Sequence, residues 1–296
     1  MNCTRTNICC LNVNSQIGFQ KQQSKIYNWK TYQYQDKKLP EQKHKKKKMS
    51  FLKLKTSLLE NVDGSCELST VNSKVIVSVT GPIEPKQRQE MPQQLALEVI
   101  IKPSIGIGPT TREVLMQDKL SQVLQSCLCN YLYPRKLLQV TLQILENPYD
   151  NKTGGISGTS GNSYDPVLSA LCDLNSCINA TFLGIVDSAV GLKSSFVSTL
   201  IGVSKQSNEL CNISEQSAEQ IISTLEYFQS LHLIVMEIID NKCANVLLID
   251  STGSFKDEDL LKVLQQAEFN CLETFKNFRS VIKNKVQKDF MWKDIN

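Results

Sequence analysis

Apolar and polar residues fall into a regular order only after Ser50. Val75-Ile76-Val77-Ser78-Val79 and Leu95-Ala96-Leu97-Glu98-Val99-Ile100-Ile101 are short runs rich in β-branched residues, bounded by Gly and Pro, and they predict strands. Gly106, Gly108 and Pro109 break the pattern. A helix is predicted from Thr110-Thr111-Arg112-Glu113, where Thr110 and Glu113 stand at capping-box spacing. Val114, Leu120, Val123, Leu124, Cys127, Leu128 and Tyr131 form its expected apolar face, and Pro134 its expected stop. Val140, Leu142 and Ile144 then alternate with Thr141 and Gln143, as in a half-buried strand.

The stretch 147–166 is rich in Gly, Ser and Asn and predicts a flexible loop insert. A second helix follows, with Leu168, Leu171, Leu174, Ile178, Phe182, Ile185 and Ala189 spaced by three or four. Further strands are expected at 197–203, about 222–228, 231–239 and 246–250, with Asp240-Asn241 turning between the last two. Ser254 with Asp257 announces a final helix that carries Leu260, Leu264, Cys271, Phe275, Phe278 and Ile282. Strands grouped between single helices predict an α+β domain, helices packed on mixed or antiparallel sheets, over residues 50–290. A short tail, 291–296, ends the chain.

Charge changes this picture at one end. Residues 1–49 hold 11 of the 33 Lys/Arg and 2 of the 29 Asp/Glu, so this segment carries +9 and the rest −5. Rich in Gln, Asn and Lys and without an apolar period, 1–49 is expected to be a disordered basic tail. Its run Lys45 to Lys48 suits a solvated tail, a nuclear-import signal or a loose RNA contact. Met49 stands where the patterned sequence begins, as a natural start would, which would leave 1–48 untranslated. The acidic remainder is a poor phosphate-backbone binder by itself. No window approaches 18 consecutive apolar residues, so no membrane span is expected, and no secretory signal pattern opens the chain.

Eleven cysteines are scattered without CxxC pairs, and the two histidines, His44 and His232, are far apart. No metal site and no cofactor is expected, and the thiols are expected to act as reduced, small apolar residues. His232 lies within an apolar strand, where a core role suits it better than that of a base. Asp63-Gly64-Ser65 suits a turn better than a nucleophile motif.

Several segments resemble the RNase PH family, in the form its members take as ring subunits of the eukaryotic RNA exosome. They are Asp63-Gly64-Ser65 at a first hairpin, the segment Ser78 to Glu90 with Gly81-Pro82, Tyr133-Pro134-Arg135 leading into Val140 to Glu146, and the helix segments Cys177 to Ala180, Phe182-Leu183 and Val186 to Ala189. The resemblance implies an RNase PH-like domain (ribosomal protein S5 domain 2-like) over roughly residues 55–290, weaker after Val203. It also implies the partners: other RNase PH-like subunits in a hetero-hexameric ring, S1/KH cap subunits, a separate hydrolytic nuclease, and RNA threaded through the ring channel. Nucleus, nucleolus and cytoplasm are the implied locations.

Catalytic members of that family cut RNA with inorganic phosphate, held by cationic and hydroxyl donors, while carboxylates place a metal or protonate the leaving group. Their phosphate-gripping turn aligns with Cys172 to Ser176, which puts Leu174 in place of the cation, Asn175 beside it, and the repelling Asp173 before it. Asn212 falls near the first acid position. The resemblance therefore implies a degenerate site and a scaffold rather than an enzyme. Glu215 and Glu219 are the acids that an active phosphorolytic exoribonuclease, the alternative, would use. A free-standing RNA-binding protein acting through the lysine tail is a third reading. Lys86, Arg88 and Arg112 are candidate RNA contacts, each equally suited to solvent or subunit pairing. Arg112, in a first helical turn, needs an acidic partner.

Overall fold

The computed structural model describes residues 53–70, 73–104, 106, 108–146, 166–205, 209–213 and 228–289. The expected tails 1–49 and 291–296, most of the 147–166 insert, Glu215, Glu219 and nearly all of the strand expected at 222–228 lie outside them.

Among the described residues, nine strands make two sheets. The first has the order β1-β2-β3-β5-β4, built from β1 (Lys53–Thr56), β2 (Gly64–Ser69), β3 (Lys74–Ile83), β4 (Ala96–Lys102) and β5 (Leu137–Glu146). It is mixed: β4 runs parallel to β5 and every other pair is antiparallel. The expected alternation fixes one face to the core, because Val75, Val77 and Val79 stand opposite Ile144, Leu142 and Val140, all buried. The second sheet is antiparallel, in the order β7-β6-β8-β9, from β6 (Ser195–Ser204), β7 (Leu210–Asn212), β8 (Phe228–Ile239) and β9 (Lys242–Gly253). Asp240 and Asn241 supply the tight β8–β9 turn with positive φ, as their residue types suggest.

Among the described residues, three α-helices pack on these sheets. The first, α1 (Thr111–Cys127), is the crossover between the parallel pair β4 and β5 and lies on β4. Its capping box forms as expected, the Glu113 carboxylate accepting the Thr110 N–H at 2.7 Å. Its face differs from the expected one. Glu113, Met116, Leu120, Val123, Leu124 and Cys127 are buried, whereas Val114 is exposed. The helix stops at Cys127, well short of Pro134, because Leu128 turns to an extended backbone and bridges to Leu192. Tyr131 lies on a separate 3₁₀ turn, Asn130–Leu132, and points out.

The second helix, α2 (Pro166–Asp187), packs against β2 and β3 of one sheet and β6 of the other. Burial on nearly every side explains its composition. It is long and apolar enough to cross a membrane, yet it is almost wholly buried inside the protein. The third helix, α3 (Asp257–Asp289), packs on β6 and β8, and Asp257, Glu258 and Asp259 complement its N-terminal dipole. Phe182 of α2 joins these layers, its ring meeting Phe196 at 5.4 Å, Phe278 at 6.1 Å and Phe275 at 6.3 Å.

His232 sits inside β8, fully buried, between the Ser251 hydroxyl at 2.8 Å and the Ser230 hydroxyl at 2.9 Å, with Phe255 edge-on. Burial holds its imidazole below the ordinary value of 6.5. Folded chains therefore keep it neutral over a range where unfolded chains are protonated. Its contribution to stability is complete above about pH 6.5 and is lost as pH falls through the lower folded value. We expect denaturation midpoints of the wild type to fall, relative to those of His232→Gln, between about pH 7.5 and about pH 5.5. Parallel pH profiles for the two proteins would contradict this.

Candidate functional site

The helix α2 carries Leu174 and Asn175 and most of the helix segments of the resemblance, from Cys177 to Asp187. Its C-terminal end explains two motifs together. Gly64 lies so close to α2 that a Cβ there would stand 2.4 Å from the Gly184 carbonyl oxygen and 2.5 Å from the Ser188 nitrogen. Next to it, the Ser65 N–H donates to Asp187 Oδ2 at 2.9 Å and the Ser57 hydroxyl donates to Asp187 Oδ1 at 2.8 Å. Lys285 of α3 pairs with the same buried carboxylate. Asp63 accepts the Gly81 N–H at 2.7 Å. The expected turn is thus confined to the bend at Asp63, whereas Gly64 and Ser65 already begin β2, and this strand start is clamped to the end of α2 at Gly184, Asp187 and Ser188. Ser65 is buried, and its hydroxyl accepts the Leu59 N–H at 3.0 Å.

The segment expected to be a phosphate-gripping turn is not a turn. Cys172 to Ser176 lies inside α2, which begins at Pro166, and all five residues are buried. Leu174 belongs to the hydrophobic core. Asn175 accepts the Ser198 hydroxyl through Oδ1 at 2.8 Å and through its backbone oxygen at 2.9 Å. Asn179, one turn on, brackets the Ser198 backbone on both sides at 3.0 Å. These amides tie α2 to β6 in the interior.

Asp173 is fully buried and forms an ion pair with Arg112 of α1, whose guanidinium also donates to Ser169 Oγ at 2.9 Å and lies 3.9 Å from Glu113. Arg112, a candidate RNA contact by sequence, thus has the acidic partner its position calls for, and its side chain is 22% exposed. The reason is electrostatic: a cation at a helix N-terminus and a carboxylate in an apolar interior are each unfavourable alone, and each compensates the other. Sequence reasoning gave Arg112 and Asp173 separate roles. The need of Arg112 for an acid was the signal that could have joined them.

Lys86 and Arg88 are exposed on the β3–β4 connection, where Arg88 falls within a turn, and form no ion pair among the described residues. Nearby, Lys136 pairs with Glu84 at 3.5 Å and Arg135 with Glu90 at 3.7 Å. Asn212 stands half-buried on β7, opposite Ile201. Leu174, Asn175 and Arg112 thus gather around α2, whereas Asn212 lies on an edge strand and Lys86 and Arg88 on a surface loop.

Among the described residues no group of three or more His, Cys, Asp or Glu is placed to hold a metal. Burial pushes the Cys66 thiol up to about 12, with the Glu67 charge adding to it, and raises Cys127, Cys177 and Cys271 as well. Such thiols stay protonated at neutral pH and serve as packing groups.

This geometry has known counterparts. Residues 51–190, which span β1 through α2, match the RNase PH 3′ exoribonuclease family, domain 1. Exosome complex component RRP46 of Saccharomyces cerevisiae is 38% identical over 231 residues, covering 77% of this chain and 94% of that protein. The chain belongs to the RNase PH family. A second relative, Exosome complex component rrp46 of Schizosaccharomyces pombe, is 24% identical over 225 residues, covering 76% of this chain and 86% of its own length. The crystal structure of rice Rrp46 superposes with a TM-score of 0.59 at 19% identity, over 78% of this chain and 93% of that one, and so shares the fold. The RNase PH domain expected from the motifs is the one the chain has.

Proposed function

We propose that the chain is a ring subunit of an RNA exosome that supports 3′-to-5′ RNA processing and degradation without cutting RNA itself. The 38% identity to an exosome component across nearly all of that protein's length supports the assembly. The observation that carries the non-catalytic reading is the state of residues 173–175. An anion could not reach Leu174 without opening the core, and the carboxylate beside it is already paired with the cation of α1. Asn212 in place of an acid leaves no negative charge there to hold a divalent metal.

In this reading the chain pairs with other RNase PH-like subunits in a six-membered ring, with S1/KH caps above it, a separate hydrolytic nuclease attached, and RNA passing through the channel. The outermost β9 suits such pairing: it is twelve residues long, exposes Val246 and Ile249, and has no described strand on its outer side. Nucleus, nucleolus and cytoplasm are the proposed locations, and residues 1–48, of the basic tail 1–49, are dispensable for assembly. Native purification through a C-terminal tag should recover several RNase PH-like subunits in equal amounts, from the full chain and from one starting at Met49 alike. Recovery of the chain alone, as a stable monomer, would contradict ring membership.

A further inference from the structure

Beside the end of α1 lies an open cavity of about 900 Å3 that the reading above does not use. Tyr131, Met91, Gln94, Gln125, Asn130 and Lys193 are among its lining residues. Tyr131 is 74% exposed and Met91 43%, and the adjoining Leu132 is 51% exposed. Exposed apolar side chains on a fraying loop would mean little, but this wall is fixed. The Leu95 N–H donates to the Asn130 oxygen at 3.0 Å, Cys129 N–H to Gly191 at 3.1 Å, Arg135 N–H to Met91 at 3.1 Å and Lys193 N–H to Cys127 at 2.7 Å. The Tyr133 hydroxyl accepts the Gly191 N–H at 3.2 Å. The backbone near Met91, the turn carrying Tyr131 and the segment before β6 are therefore laced together. A tyrosine presented on such a frame loses little freedom on binding, as in an interface anchor.

The electrostatics select the occupant. No Asp or Glu lines the cavity, and Lys193 is its one cation. Glu237 nearby is buried, and its carboxyl is held below the ordinary value chiefly by the Ser194 hydroxyl, then by the Asn245 amide, which donates to it at 2.6 Å, and least by the charge of Lys193, with which it forms no ion pair among the described residues. The remaining polar lining consists of uncharged amides and the hydroxyls of Ser126 and Tyr131, and two of the amides are already oriented: Asn130 Nδ2 donates to the Gln125 backbone oxygen at 3.1 Å and Gln94 Nε2 to Met91 Sδ at 3.2 Å. One cation in neutral walls is too little to hold a phosphate backbone, which requires several. It is matched by a single carboxylate, while the amides suit a peptide main chain.

We propose that this cavity is a docking site for an extended segment of a protein partner, bearing an apolar side chain that packs on Tyr131 and a carboxylate that meets Lys193. The site stands whether or not the chain is a ring subunit. Both anchor side chains are exposed, so Tyr131→Ala and Lys193→Gln should leave the fold intact, and the melting temperature checks this for them and for Lys193→Glu, which sets a second carboxylate near Glu237. The full-length chain is panned against a displayed library of random peptides. Enrichment of sequences that place Asp or Glu near an aromatic or aliphatic residue is expected. A synthetic peptide of that sequence should lose about tenfold or more in affinity with either Tyr131→Ala or Lys193→Gln, the range of an interface anchor. Panning Lys193→Glu should move the preference from acidic to basic residues. Absence of enrichment, enriched peptides that bind Tyr131→Ala and Lys193→Gln as they bind wild type, or displacement of the peptide by oligouridylate would each overturn the proposal. The last would assign the cavity to RNA.

Discussion

Gly64→Ala is expected to destabilise the protein by about 3 kcal/mol or more. The added carbon would stand 2.4 Å from a backbone oxygen and 2.5 Å from a backbone nitrogen of α2, groups that cannot rotate away. Relief would require β2 to lift from α2, which would also pull the Ser65 N–H from Asp187. Gly184→Ala, across the same contact, is the control. Its new carbon would meet only methyl groups of Val77 and Val79 at 3.2 Å, and Ala in a helix is favoured over Gly by about 1 kcal/mol, so the net change should be small. Urea denaturation of both variants checks the pair. Equal midpoints would show that the β2–α2 contact is looser than its geometry.

Arg112→Ala should cost about 3–5 kcal/mol, because it leaves the Asp173 carboxylate in the interior without its cation. The double change Arg112→Met with Asp173→Leu should recover most of that loss, since a buried pair replaced by apolar groups of similar size is close to neutral. The comparison separates a structural pair from an anion site. If Arg112 served chiefly to grip phosphate or RNA, the single change would leave the denaturation midpoint unaltered and the double change would bring no recovery.

The sequence disclosed those parts of the molecule in which chemistry and local geometry coincide. The period of two in Val75 to Val79 and Val140 to Ile144 is the core face of two paired strands. Thr110 and Glu113 mark a helix start that depends on three neighbouring residues. The helix end was hidden because it depends on Leu192, far along the chain, which bridges to Leu128 and draws the backbone out of the helix before Pro134 is reached. β1 and β7 are four and three residues long, too short to leave a period. At the site, Leu174 could be recognised as unfit to grip an anion, but not as a core residue deep inside α2. Position 173 read as a charge hostile to phosphate, whereas it is half of an ion pair whose partner lies 61 residues earlier. Pairings between distant segments have no local signature, and here they decide what the site can do.

The absence of catalysis is the claim on which the functional account turns, and one assay tests it most directly. The complex purified through this chain, with any hydrolytic nuclease removed, is supplied with single-stranded RNA, Mg²⁺ and inorganic phosphate, and nucleoside diphosphate is measured. The account predicts no release above background, whether phosphate is present or absent, and no gain on Leu174→Arg, since that position lies in the core. Phosphate-dependent release that disappears with Glu215→Gln or Glu219→Gln would contradict it and make those glutamates catalytic acids.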